Sequence, residues 1–565
     1  MRWLDVTQFG ASGRKADDAR PAIQQAVDAC AENGGGVVYL PPGEYTSGTI
    51  HLRSHVRFTI EAGATLYSSR DRSDFDTPQE GRVSLFYGED LENITLEGRG
   101  VVDGQAEYEW RLADLDDRSI KENLDELLKT GRQPLRAFLR KDCHGRLVLL
   151  ERCVDVRIEG LSFVRSPSWT IHPYGCRRLV IDGIYIRTSL REGVWADGID
   201  PDGCSDVRIS NCTIETGGDA IAFYSTSTLG PALPCQNSTI TNCRLSSASS
   251  AIKFCDANEN GVRNVAISNC VITDSNRGIA FMSFDGGSVS DVVISNCTID
   301  CRRFDWFWWG DGDPLYFMSR RRYSELHPEL GRPDAPAGAI RNVSIRDVVA
   351  RGAGRCLLRG HPERWLEGIR LDNVRLSLVA DPEAAYNKEG SGLTIRYARD
   401  IALRNVEVSL GDPSPARWKS PLSLEDSVDV LVEGFRGRVP AGSAEPAIAL
   451  KNASGIVIRN SRVDPRGATL LLAGIGTRDI VVGTGVIPPE GRIEEEALPG
   501  ATVEPPRAID IRRTVVRKTA LRRKPAAKGH KSFRKKPKKK AAPKARGKPS
   551  SHRAARSPGT GKKHR

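Results

Sequence analysis

The chain has 565 residues and a formal net charge of +12, but this charge is distributed unevenly. Residues 511–565 hold 23 of the 83 Lys and Arg residues and no Asp or Glu, so the rest of the chain carries a formal charge of −11. No apolar run is long enough to span a bilayer, and no spaced Cys or His pairs, phosphate-binding Gly loop or G-x-S-x-G motif occurs. These absences argue against a membrane protein, a zinc protein, a P-loop protein and a serine hydrolase.

The N-terminal segment predicts a capping helix. Residues 19–32 place apolar side chains from Ile23 to Cys30 on one helical face, and three glycines at 34–36 end the run. We expect this helix to cover the first rung of a solenoid, at 37–46. Because no apolar signal segment precedes it, the sequence as written predicts a cytoplasmic protein, or a secreted or periplasmic one if the N-terminus is incomplete.

An Asn-Cys dipeptide recurs four times in the middle of the chain, at 211–212, 242–243, 269–270 and 296–297. The separations of 31, 27 and 27 residues are the period of a stacked repeat. Each unit reads as a short strand, a tight turn and another short strand, with no helical crossover. The pattern predicts successive rungs of a parallel β-helix, with a ladder of inward Asn side chains and with reduced, buried Cys side chains.

Looser copies of the same pattern extend from residues 156–163 to residues 456–463. About a dozen rungs therefore share one continuous core. We predict an all-β domain over residues 1–510 and a disordered tail over 511–565, since the tail is rich in Lys, Arg, Pro and Gly and has almost nothing to bury. Two interpretations of the tail remain: it binds nucleic acid or another polyanion non-specifically, or it is only a solubilising extension.

Carboxylates concentrate in one column of the predicted solenoid. Asp197, Asp200 and Asp202 fall within six residues, and Asp219 follows Asp197 by 22 residues, which is about one coil. Stacking puts the Asp197 and Asp219 backbones about 4.8 Å apart. A pair of carboxyl groups is what an inverting glycosidase uses as acid and base. The alternative is a structural role, because Asp is a common turn residue.

Residues 195–223, with 166–176 before them and 261–281 after them, resemble glycoside hydrolase family 28. This is the polygalacturonase family of right-handed parallel β-helices. Residues 6–45 are similar to the N-terminal cap of the family, and the resemblance runs in order through residues 5–480. It implies a right-handed parallel β-helix that hydrolyses poly- or oligosaccharides and needs no cofactor or metal ion.

The catalytic motifs of the family are only partly matched. Its Asn-Thr-Asp motif stands here as Trp195-Ala196-Asp197, and its Asp-Asp pair as Gly218-Asp219, so the Asp that is the general acid in the family is absent. Its Gly-His-Gly motif aligns with Ser247-Ala248-Ser249, and its Arg-Ile-Lys motif with Ala280-Phe281-Met282. We expect the column of Asp197 and Asp219 to continue through Ala248 and Ala280. Without the Arg and Lys, a neutral or mixed sugar fits this rung better than a polyuronate.

The resemblance assigns the acid/base roles to Asp197 and Asp219. A replacement for the missing acid has to come from carboxylates close to this pair in the sequence or from the loop at 301–317. The candidates outside that loop are Asp200, which we include among the catalytic residues, and Asp202, Glu215 and Asp256.

The loop at 301–317 is the most aromatic stretch of the chain. Aromatic rings stack on the apolar faces of sugars while carboxylates bind sugar hydroxyls, so the loop predicts a substrate-binding surface. The alternative is that its rings only pack onto the coil. The candidate substrate-binding residues are Asp202, Arg277, Trp306, Trp308, Trp309, Asp311 and Asp313.

Four functions are compatible with the sequence. The leading hypothesis is a monomeric glycosidase that acts on pectic or other cell-wall poly- or oligosaccharides, away from any membrane. The second is a carbohydrate-binding protein that has kept the groove and lost the acid. The third is a calcium-dependent polysaccharide lyase, for which we find no Asp cage with a partnering Arg. The fourth is a nucleic-acid binder that works through its tail.

Overall fold

The computed structural model describes residues 3–76, 82–108, 110–112, 138–140, 145–304, 310–321, 335–379, 381, 390–411, 418–439, 443–463, 469–484, 486 and 492–495. Over these ranges the chain is a parallel β-helix, as predicted. Each coil contributes strands to three parallel sheets, and each strand pairs with its counterpart one coil away. We call these the first, second and third sheets, in the order in which the chain visits them.

The first sheet begins at the N-terminus and pairs in register along the whole solenoid. Its separate strands are Trp3–Asp5, Gly36–Leu40, Val56–Ile60, Glu92–Gly98, Val154–Glu159, Arg177–Asp182, Ser205–Ser210, Cys235–Thr241, Val262–Ser268, Ser454–Arg459 and Arg478–Val482.

The second and third sheets are built in the same way. Separate strands of the second sheet are Gly43–Ser47, Ala64–Ser68, Val101–Asp103, Ser162–Val164, Tyr185–Arg187, Thr213–Thr216, Glu407–Leu410, Arg436–Arg438 and Arg462–Val463. Those of the third sheet are Ile50–His51, Ser84–Glu89, Arg146–Glu151, Ile171–Tyr174, Ile221–Ser225, Asp313–Ser319, Cys356–Arg359, Ile448–Lys451, Leu470–Ala473 and Ile493–Glu495.

Seven longer strands bend from one sheet into the next. They are Arg244–Asn258, Val271–Ser283, Ser288–Cys301, Ala339–Gly352, Leu366–Leu378, Leu393–Arg404 and Leu422–Glu433. Three 3-10 turns, at Val6–Phe9, Arg72–Asp74 and Ala106–Tyr108, and one antiparallel pair, Trp110–Leu112 with Phe138–Arg140, complete the described elements.

The predicted capping helix is confirmed as Arg20–Glu32. Its apolar face, which includes Ile23 and Val27, is buried in the same core as Val38 and Leu40 of the first rung. At 13 residues it is too short to cross a bilayer, and no other described helix is long and apolar enough to do so.

Inward residues of the third sheet fix its register. Phe223, Phe254, Phe281 and Phe317 are fully buried and stack one above another, with ring centroids 5.4, 4.4 and 4.2 Å apart. Side chains alternate across a strand, so the residues between these phenylalanines lie on the outer face. The stack therefore determines which outer residues are neighbours from coil to coil.

The Asn-Cys repeat behaves as predicted for Cys and differently for Asn. The Cys side chains are buried and free, as are all eleven described cysteines. The Asn side chains form a ladder, in which Asn242 donates to Asn211 and Asn296 to Asn269, each at 3.4 Å. The ladder lies at the surface and not inside. Each Asn turns a corner with a φ of 56–57°, a left-handed conformation that Asn tolerates better than most residues.

Two predictions lie outside the described residues. They are the substrate-binding role of Trp306, Trp308 and Trp309, and the nature of the tail at 511–565.

Candidate active site

The candidate carboxylates lie in and just before the strands of the third sheet. Ile199 pairs with Ile171 on one side and with Ile221 on the other, and all three point into the core. This register places Asp197 beside Asp219 on the adjacent rung, as the 22-residue spacing predicts. It also places Asp200 on the face opposite the core, because alternate residues of a strand point to opposite sides.

Backbone and side chain join Asp197 and Asp219 directly. The Asp219 amide donates to Asp197 Oδ1 at 2.8 Å, and the Gly198 amide donates to the Asp219 carbonyl at 2.9 Å. Their side chains are only 6% and 4% exposed. The two predicted catalytic residues are therefore held in one geometry by hydrogen bonds between neighbouring rungs.

Lys253 is the cation of this site. Its Nζ lies 2.9 Å from Asp219 Oδ2, in an ion pair whose side chains are 13% and 5% exposed. The other oxygen, Oδ1, accepts from the Ser249 hydroxyl at 2.6 Å and from the Ser250 amide at 2.9 Å. The Asp219 side chain thus has three partners, Lys253, Ser249 and Ser250.

Asp200 has the opposite environment. It is fully buried, and neither of its oxygens has a hydrogen-bond partner among the described residues. Burial, together with the negative charges of Asp197 and Asp219, raises the pKa of Asp200 well above its usual range. The environment of Asp200 therefore favours its protonated, neutral form.

Both oxygens of the Asp202 carboxylate accept hydrogen bonds from Thr226. Its Oδ1 accepts from the Thr226 amide at 2.8 Å and its Oδ2 from the Thr226 hydroxyl at 2.6 Å, and the residue is fully buried. His172 Nε2 lies 3.7 Å from the same carboxylate. Burial and the Arg146 charge lower the pKa of His172 to about 4. These contacts account for Asp202 without a substrate, so its predicted substrate-binding role gains no support.

Gly218, where the resemblance predicts the position of the absent general acid, leaves no room for a side chain. A Cβ built on Gly218 would lie 1.8 Å from Asp197 Oδ1 and 3.0 Å from the Asp197 amide nitrogen. The Asp197 carboxylate therefore fills the space that a side chain at position 218 would need.

The column beyond Asp219 differs from the prediction. Asp219 is followed by Ser250, then Arg277, then Asp313, so the expected continuation through Ala248 and Ala280 is wrong. The expected step from Asp219 to Ala248 is 29 residues, whereas the paired strands on either side of Asp219 keep an offset of 31 residues, which leads to Ser250. Ala280 instead pairs with Lys253.

Two of the predicted substrate-binding residues, Arg277 and Asp313, are brought together. Arg277 Nε lies 4.0 Å from Asp313 Oδ2, and the guanidinium lies 4.0 Å from the centre of the Tyr316 ring. Both charged side chains are almost completely buried, and the Asp311 amide approaches Asp313 Oδ2 at 3.3 Å. Arg277 and Asp313 thus partner each other, and Tyr316 is the half-buried surface above them.

Other carboxylates considered as the replacement acid lie elsewhere or are not described. Glu215 is on the second sheet, 3.4 Å from Arg187 Nε, and the side chain of Asp256 lies outside the described residues. The described part of the chain contains no group of three or more His, Cys, Asp or Glu that could hold a metal ion.

Sequence reasoning missed three residues of this site. Lys253 stands alone in a strand, where a lysine is ordinarily solvated. Trp169 stacks on Tyr224 with ring centroids 4.6 Å apart, and Trp195 is 37% exposed two residues before Asp197. The repeat contained a signal for the column: the Asn-Cys spacings of 31 and 27 residues, counted from Asp219, lead to Ser250 and Arg277.

Taken together, the fold and the carboxylate site define the class of polygalacturonase-like parallel β-helix proteins. The sequence model of glycosyl hydrolases family 28 matches residues 30–301, and this part of the chain belongs to that family. It is similar to a probable polygalacturonase of Vitis vinifera, with 28% identity over 237 residues that cover 39% of this chain and 44% of that protein. The chain thus spans less than half the length of this curated relative.

Solved structures show the same fold. A family 28 exopolygalacturonase from Yersinia enterocolitica superposes with a TM-score of 0.56 and 17% identity, over 77% of this chain and 78% of that one. A hyperthermoactive exopolygalacturonase from Thermotoga maritima gives a TM-score of 0.54 and 20% identity, over 66% of this chain and 87% of that one.

Proposed function

We propose that this protein hydrolyses O-glycosidic bonds in pectic or other cell-wall poly- or oligosaccharides by an inverting acid/base mechanism. The observation that carries the proposal is the contrast between Asp219 and Asp200. One carboxyl is held in an ion pair with Lys253 and the other is kept neutral by burial, within one cluster. Two carboxyl groups in unlike environments are what acid/base hydrolysis of a glycoside requires.

Asp219 is the base in this proposal. Its Oδ2 keeps capacity to accept a hydrogen bond beyond the one from Lys253, and a water held there loses a proton to the carboxylate as its oxygen attacks the anomeric carbon. Ser249 and Ser250 keep the carboxylate in place during this step.

Asp197 and Asp200 together supply the acid. Neighbouring carboxyl groups in one low-dielectric site share a proton, because both cannot ionise at once. Asp200 is fully buried and so stores the proton, while Asp197 delivers it to the leaving oxygen. Trp195, exposed beside Asp197, offers a stacking surface to the sugar.

A second function, carbohydrate binding without catalysis, is favoured by one observation. Gly218 offers no carboxyl group where the family has its general acid, and Asp197 fills that space. If Asp197 cannot release its bond to the Asp219 amide, the protein binds the glycan and leaves it intact.

A product assay separates these functions. The full chain is incubated with defined pectic, rhamnogalacturonan and neutral oligosaccharides, and products are read by mass and by anomeric configuration. We expect inverted products, and Asp219→Asn should lower the rate about 10²- to 10⁴-fold while Asp300→Asn, an exposed carboxylate, changes nothing. Unimpaired sugar release by Asp219→Asn would end the proposal. Saturable binding without any product in the parent protein would support the second function.

A further inference from the structure

A cleft on the outer side of the third sheet lies downstream of the carboxylate site. Its floor is a column of small or apolar residues, Leu357, Thr394, Ser423 and Ala449, paired from coil to coil. We call this the distal cleft. The buried hydroxyl groups of Ser391 and Ser420 also line it.

The distal cleft continues the column that contains Lys253. Lys253 pairs with Ala280, Ala280 with Tyr316, and Tyr316 with Leu357. Leu357 and Thr394 therefore lie three and four rungs beyond Lys253, or ~14 and ~19 Å at the spacing of parallel strands. One glycan that runs along this face and passes over Tyr316 reaches both places.

The walls of the distal cleft are cationic. Five basic side chains line it against two acidic ones, Glu425 and Glu445. The basic residues are Arg355, Arg359, Arg396, Lys419 and Lys451. This excess contrasts with the formal charge of −11 of the chain before the tail.

Three of these five basic side chains, those of Arg355, Arg359 and Lys451, supply the charge that is not neutralised locally. Arg396 is engaged, with its Nε 3.1 Å from Asp426 Oδ2 and 3.7 Å from Glu425 Oε2. Within the residues that the structure describes, no acidic side chain forms an ion pair with Arg355, Arg359 or Lys451. Arg359 and Lys451 are exposed. A carboxylate in the distal cleft would lie near the guanidinium groups of Arg355 and Arg359. A guanidinium group can bind a carboxylate with two hydrogen bonds.

We propose that the distal cleft binds a carboxylate-bearing sugar of the same glycan whose bond is cleaved at Asp197 and Asp219. This inference rests on the proposed function, because it takes the glycan of this face to be the substrate. It also assigns the binding of the acidic sugar to a place away from the rung of Arg277. The Arg277 side chain faces Asp313 and so is not available to a sugar carboxylate, whereas basic side chains of the distal cleft are available.

The chain offers a matched control. A second cleft, on the outer side of the second sheet, is lined by Arg375, Arg436 and Arg462 together with Glu407. The double variant Arg436→Gln/Arg462→Gln removes the same charge as Arg355→Gln/Arg359→Gln but from a different side of the solenoid. Both variants keep the basic tail, so its contribution to binding is equal in the two.

The experiment measures binding in the Asp219→Asn full chain, so it does not depend on turnover. Oligogalacturonides and neutral galacto-oligosaccharides of two to six residues, and inorganic phosphate, are titrated by calorimetry at fixed salt. We expect the longer oligogalacturonides to lose at least about tenfold in affinity in the Arg355/Arg359 variant and to be unchanged in the Arg436/Arg462 variant. The neutral oligosaccharides should not distinguish the variants.

Three results would overturn the inference. The first is an equal loss of affinity in both double variants, which would indicate non-specific attraction. The second is a parent protein that binds oligogalacturonides no more tightly than neutral chains. The third is binding of phosphate that is as tight as binding of the oligosaccharides. Failure of the proposed function is a separate result, because it appears as absence of product in the parent protein and leaves this binding comparison intact.

Discussion

The ion pair between Lys253 and Asp219 makes the sharpest prediction about stability. Replacing Lys253 with Met keeps the length of the side chain and removes its charge, which leaves a carboxylate that is 5% exposed without its cation. Breaking a fully buried pair in this way costs about 3–5 kcal/mol. Lys253 is 13% exposed, and Asp219 keeps its bonds from Ser249 and Ser250, so we expect a loss of about 2–3 kcal/mol.

A double-mutant cycle isolates this interaction. Lys253→Met, Asp219→Asn and the double variant are compared with the parent by urea unfolding, followed by two probes that must report the same transition. The double variant should recover part of the loss, with a coupling energy of about 1–3 kcal/mol. Lys451→Met, an exposed lysine of the same sheet, is the control and should stay within about 0.5 kcal/mol of the parent. The reasoning fails if the two single losses simply add, or if Lys253→Met is as mild as the control.

Two further predictions concern Asp200 and Asn269. Because burial raises the pKa of Asp200, the unfolded carboxyl ionises above about pH 4 while the folded one stays neutral, so stability from this group falls as the pH rises. We therefore expect the free energy of unfolding of the parent, relative to that of Asp200→Asn, to decrease by up to about 1.4 kcal/mol per pH unit between pH 4 and 7. Thermal unfolding of both proteins measures this difference. If their plots of stability against pH are parallel, the assignment is wrong. Asn269 has a φ of 56°, so Asn269→Ala should cost about 1–2 kcal/mol, whereas Asn269→Gly, which also removes the ladder bond, should cost less. Equal losses in urea unfolding would assign the effect to the ladder bond.

The repeating part of the molecule could be predicted because it depends on short-range chemistry that every coil repeats. A short strand, a corner and a buried Cys recur at a nearly constant spacing. The 22-residue separation of Asp197 and Asp219 is shorter than this spacing but close enough to one coil to predict that the two residues lie on neighbouring rungs. The prediction that the Asn ladder points inward was wrong. Asn forms hydrogen-bonded ladders inside a solenoid, but it also tolerates the left-handed conformation at a surface corner. The sequence pattern does not distinguish these two positions.

The site could be predicted only in part. The column was expected to pass through Ala248 and Ala280 because these residues align with family motifs, whereas the coil offsets of 31 and 27 residues lead to Ser250 and Arg277. Lys253 became a site residue only because the Phe254 stack turns it outward one rung from Asp219. The complete burial of Asp200, which raises its pKa, is not indicated by the residues that follow it, Pro201, Asp202 and Gly203, which are typical of a turn.

The contact between Gly218 and the Asp197 carboxylate also constrains how this protein can evolve. A carboxylate at position 218 and the present rotamer of Asp197 compete for one volume, so the two positions are epistatic. A single substitution that introduces Asp at 218 has to displace Asp197 from the Asp219 amide before it can add anything. A variant with carboxylates at positions 197, 218 and 219 therefore needs a second change that lets Asp197 adopt another rotamer.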